Sequence, residues 1–110
     1  MSLDIQFTAR ENVVCPKCGE VVATKAVASE GSGGRAWYSI LEEIGYYVPY
    51  EQRTEENDWY GKDMALTEEQ AKEVYRFVVK NNDLYNCVAI RCLIAMAIVE
   101  KLTIIVNANW

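Results

Sequence analysis

The chain has no histidine. That removes His-based triads, imidazole general acid–base chemistry and His metal ligation. Basic residues are also scarce: 11 Lys and Arg stand against 16 Asp and Glu, a net charge of −5. An acidic chain without a dense Lys/Arg patch repels phosphate backbones and anionic lipid, so neither nucleic acid nor a membrane is the expected partner. No apolar run reaches spanning length, and the strongest one, residues 87–99, is interrupted by Arg91. A basic region followed by an apolar run, the mark of a secretory signal, is missing too, so a cytoplasmic protein is expected. There is no P-loop, no G-x-G-x-x-G and no G-x-S-x-G. Cysteine occurs only 4 times. In a reducing compartment a Cys pair points to metal binding, redox chemistry or free thiols before a structural disulfide.

What is present suits one globular domain, residues 1–110, with 51% apolar residues and no need of disulfide staples. Leu3, Ile5 and Phe7 alternate with polar residues and predict a half-buried N-terminal strand. Val13 and Val14 precede Cys15-Pro16-Lys17-Cys18-Gly19, and Val21 and Val22 follow it, which predicts a hairpin with the cysteines at its tip. Residues 30–34, three glycines among them, predict a flexible loop. Trp37, Ile40, Leu41 and Ile44 recur at helical spacing, with Gly45 as the stop. Residues 46–66 show no clear period and group Tyr46, Tyr47, Tyr50, Trp59 and Tyr60 among carboxylates. A segment so long is functional or hides short structure of its own.

Thr67 and Gln70 form a capping box ahead of a stripe of Ala71, Val74, Tyr75 and Val78. Asp83 is placed to cap the helix that follows, which runs to about Lys101. That helix is apolar nearly all round and is expected to be central. Its three stripes are Ile90, Ile94 and Ile98; Val88, Cys92, Ala95 and Val99; and Tyr85, Ala89, Leu93 and Met96. They need three covers: the sheet, the Trp37 helix and the Val74 helix. If the Trp37 helix packs elsewhere, one stripe stays bare and an isologous dimer is the expected way to bury it. Leu102, Ile104, Val106 and Ala108 share one face of a final strand. The first and last strands, the two best alternating runs, are expected to be neighbours. The architecture expected is therefore α+β: a small antiparallel sheet of the N-terminal strand, the knuckle hairpin and the C-terminal strand, packed against three helices.

The sharpest chemical signal is the metal-ligating pair Cys15 and Cys18. Two thiolates three residues apart on a tight turn can bind one tetrahedral zinc ion, Pro16 fixing one torsion and Gly19 permitting the positive φ that closes the turn. Zinc is thus the one cofactor expected, with free thiols as the plain alternative, because two ligands are half a site. On a continuous helix Cys87 and Cys92 lie about 140° and about 7.5 Å apart, too far to share one zinc. At most one of them could join the pair. Glu20, or the same knuckle from a second subunit, are the other completions. A thiol oxidoreductase using the CPKC pair, with Val48-Pro49 as its cis-proline, is the rival function; the strand-like run after Gly19 argues against it, since such thiols sit at helix N-termini. The second candidate site is the aromatic segment, where Tyr50, Asp58, Trp59 and Tyr60 are expected to bind a protein partner, or else to lid the core. No catalytic residue is assigned.

The order of parts also carries a resemblance: a DIQF strand, CPKCG, a small-residue loop, WYSILEEIG, GKDMALTEEQA, then an apolar helix ending in TIIVNANW. This layout resembles the small phage- and prophage-borne proteins of Gram-positive bacteria that carry an N-terminal CPxCG knuckle. The resemblance implies a bacterial cytoplasmic setting and an accessory role without assigned chemistry. The functional expectation is a non-enzymatic accessory or protein-interaction module.

Overall fold

A computed structural model of the chain describes residues 3–110. The alternating first run becomes β1 (Asp4–Val14), which is longer than the sequence pattern implies. It continues past Phe7 into the valines before the knuckle, so the N-terminal strand and the first arm of the hairpin are one strand. Its partner β2 (Val21–Gly33) returns antiparallel from the turn. The expected loop at residues 30–34 is largely strand. Gly31 and Gly33 allow β2 to lie close to β1: a Cβ on either would sit 2.8 Å from Gln6 Oε1 or from the Leu3 carbonyl oxygen.

α1 (Trp37–Glu43) stops where expected, at Gly45, whose φ is 82°. The aperiodic segment hides a 3-10 turn (Tyr50–Gln52) and a short strand, β3 (Met64–Ala65). α2 (Glu68–Lys80) opens on a full capping box: Thr67 Oγ1 accepts from the Gln70 N–H at 3.1 Å, and Gln70 Oε1 accepts from the Thr67 N–H at 2.9 Å. α3 (Cys87–Glu100) is not capped by Asp83; its start is set by Asn86 in the left-handed region at φ 59°. The Asn86 amide reaches across to Glu30 and to the Gly31 carbonyl, so a tertiary contact holds the turn. Lys101, also left-handed, ends α3 and hands the chain to β4 (Thr103–Asn109).

The sheet order is β2-β1-β4-β3, all antiparallel. The first and last strands are neighbours, Asp4 facing Asn109 and Arg10 facing Thr103. The fold is α+β, with the core between one sheet face and the helices. Ile5, Phe7, Ala9, Ile104, Val106 and Ala108 come from the sheet; Trp37, Leu41, Val74, Val78, Ile90 and Ile94 come from the helices. Trp37 packs between Phe7 and Phe77, with ring centroids 5.5 and 5.4 Å away, and its indole N–H donates to Ser32 Oγ at 3.1 Å.

Of the two arrangements open to α3, the one with a bare stripe holds. α1 spends its apolar face on β1 and α2 through Trp37. The sheet and α2 cover Cys87, Ile90, Leu93, Ile94 and Ala97, while Val88 and Val99 stay 62% and 80% exposed. No helix among the described residues is long and apolar enough to cross a membrane.

Candidate functional site

β1 loses its β4 partner after Arg10, but its pairing with β2 continues to Val14 and Val21. Beyond Arg10 the two strands form a free ribbon. At about 3.4 Å per residue, the tip stands about 14 Å past the last three-stranded rung. Two register shifts in β2, at Val27 and Val22, mark where the ribbon leaves the body and where it meets the turn. Arg10 stiffens the base, its Nε donating to Thr24 Oγ1 at 2.9 Å and its Nη2 to the Thr24 carbonyl at 3.1 Å. Glu11 faces Lys25, a favourable cross-strand pair.

The knuckle is closed by its own backbone. The Cys15 N–H donates to the Glu20 carbonyl at 2.8 Å, and the Gly19 N–H donates to the Cys15 carbonyl at 2.9 Å. Gly19 has φ 76°, the left-handed value that an L side chain rarely adopts. Hydrogen bonding from the Lys17 and Cys18 N–H groups, and from the Cys18 thiol, holds the Cys15 thiol below its ordinary pKa. This favours the thiolate, the form that binds a soft metal or attacks a disulfide. Around the tip, Val14 faces Val21 and Val13 faces Ala23; Val21 and Val22 are 56% and 65% exposed. These valines serve no part of the core.

Cys15 and Cys18 stand on one backbone-closed turn at the tip. No third Cys, Asp or Glu joins them in a metal-holding group among the described residues, so neither Glu20 nor a helical cysteine closes the site within the chain. Cys87 is buried on the core face of α3, while Cys92 lies on its exposed side. A strand and not a helix follows Gly19, and the Val48–Pro49 peptide is trans.

The aromatic residues are brought to a different end of the molecule. Trp59 lies 6.4 Å from Tyr46, and Tyr60 meets Trp110 edge-on at 4.9 Å. Arg53 sits over Tyr47 and Trp110, 5.6 and 5.5 Å from the ring centroids. Asp58 Oδ1 accepts from the Tyr60 N–H at 3.2 Å and shapes the turn. Trp59 and Tyr60 therefore form part of a ring cluster closed by the C-terminal tryptophan. Tyr50 lies outside the ring pairs seen among the described residues and is 85% exposed.

The sequence predicts the hairpin itself, but not that its shaft projects beyond β4 or that Lys17 at its tip is a candidate site residue. The signal was there: valine pairs on both sides of the turn, with a mixed-charge stretch behind them that no amphipathic period assigns to the core. Compared with known family models, curated proteins and solved structures, the chain matches none.

Proposed function

We propose that this chain is a non-enzymatic, cytoplasmic interaction module of the phage or prophage accessory type, and that its working part is the projecting hairpin with a zinc-binding knuckle at the tip. One observation carries the reading: at the end of a free ribbon, a turn closed by the Cys15–Glu20 and Gly19–Cys15 backbone bonds presents Cys15 and Cys18 together, ringed by valines that the core does not use. A turn that prepares a thiolate and presents it with apolar neighbours suits metal-dependent docking of another protein. The phage setting rests on the layout of the sequence alone. Tyr50 and the Asp58, Trp59 and Tyr60 edge offer a second contact surface for the same partner.

The lowered Cys15 thiol also serves the rival reading, a small thiol oxidoreductase. Elemental analysis of untagged protein, purified under reducing conditions without chelator, separates the two. Zinc in the wild-type chain and its loss in Cys15→Ser, with the body still folded, support the module. Zinc-free protein that reduces insulin disulfides would replace it with the oxidoreductase.

A further inference from the structure

The tip holds two of the four ligands of a tetrahedral thiolate site. We propose that the other two are Cys15 and Cys18 of a second copy of this chain, one zinc ion being shared tip to tip between two knuckles. The proposal rests on the metal-binding reading above and adds its stoichiometry and its partner.

Reach excludes the chain's remaining thiols. α3 begins beside the far end of β2, where Ser32 Oγ donates to the Tyr85 carbonyl and the Asn86 amide to the Gly31 carbonyl. It runs toward the base of the hairpin, because Thr103, just after it, pairs with Arg10. Cys92 is therefore nine helical residues short of the Lys101 cap. That is about 13 Å at the helical rise, with the ribbon's own length of about 14 Å still beyond. Cys87 is farther and buried.

The ribbon suits a meeting of two copies. Its length lets two tips touch while the bodies stay apart. Charge favours the tip over any other approach: residues 10–27 carry Arg10, Lys17 and Lys25 against Glu11 and Glu20, so the acidic excess lies wholly in the body. Four thiolates on one zinc ion leave two negative charges, and Lys17 of each copy sits within the ligand loop to offset them. The valine collar gives each tip an apolar rim that its two-fold mate can cover, as an isologous contact requires.

The test is zinc titration of the reduced full chain, read by metal analysis and sedimentation equilibrium. The expected result is one zinc per two chains and twice the 12.5 kDa chain mass, reverting to a single chain in chelator. Cobalt(II) in place of zinc should show the intense charge-transfer and ligand-field bands of a tetrathiolate site. Cys18→Ser should lose metal and dimer together, with an unchanged far-UV spectrum, while Cys92→Ser keeps both. One metal on a monomer overturns the shared site and leaves the metal-binding knuckle standing. Failure of the wild-type chain to bind metal overturns both. A dimer that survives chelator and Cys18→Ser also overturns the shared site, and assigns self-association to the bare Val88 and Val99 stripe of α3.

Discussion

Replacing Tyr46 with Phe should cost more than the loss of one oxygen atom suggests. Tyr46 is fully buried. Its hydroxyl donates to the Lys62 carbonyl at 2.7 Å and accepts from the Ala108 N–H at 2.8 Å. β3 pairs only with Val106 and Ile105, so on the side away from β1 Ala108 has no strand beside it. The Gly61 N–H takes the Ala108 carbonyl at 2.8 Å, and the Tyr46 hydroxyl takes the Ala108 N–H. The tyrosine thus stands in for a missing strand partner. Phenylalanine keeps the ring and creates no large cavity, but it leaves the buried Ala108 N–H without an acceptor. The Lys62 carbonyl, on an exposed residue, can turn to water. An orphaned buried donor costs about 1–3 kcal/mol. For a chain of this length that is a fall in melting temperature of about 4–12 °C. Burial, opposed by the hydrogen bond to Ala108, raises the Tyr46 pKa. The unfolded tyrosine ionises near pH 10 and the folded one above it. As pH rises through that window the unfolded state sheds a proton that the native state keeps, so this contribution is complete below about pH 10 and declines above it. Phenylalanine has no such contribution. The stability gap between wild type and Tyr46→Phe should therefore narrow on going from roughly pH 8 to roughly pH 11. Urea unfolding followed by circular dichroism at several pH values measures both effects. A cost below about 0.5 kcal/mol, or a gap that does not change with pH, would refute the strand-substitute role.

Thr67→Ala removes one half of the capping box and should lower stability by about 1 kcal/mol, measured by urea midpoint at unchanged slope. Lys101→Gly should raise it by up to about 1 kcal/mol, because Lys101 is exposed and left-handed at φ 58° and glycine adopts that conformation without strain; a lower urea midpoint would contradict this.

Local instructions were legible from the chain alone. The Thr67 and Gln70 box, the Gly45 stop after the Trp37 stripe, the alternation through Ile104, Val106 and Ala108, and the tight CPKCG turn each depend on residues within about one helical turn or one strand repeat of each other. They state themselves in spacing and in intrinsic φ/ψ preference. The cysteine half of the candidate site was visible for the same reason. Long-range partners decided the rest. Gly31 and Gly33 resemble a flexible loop until β1 lies against them and their missing Cβ becomes a requirement of close approach. Asp83 has the right spacing to cap α3, but the Asn86 amide finds Glu30 and Gly31 across the fold and moves the start. α3 carries apolar residues on every side, and sequence cannot say which side goes uncovered. That depended on Trp37 packing between Phe7 and Phe77, which took α1 away from it. The free ribbon exists because β4 is shorter than β1, a mismatch between strands some ninety residues apart in the chain. Turn and cap energetics lie within a few neighbouring residues, so sequence determined them. Which strand outruns its neighbour and which face meets solvent are properties of packed pairs, and only the tertiary structure could decide them.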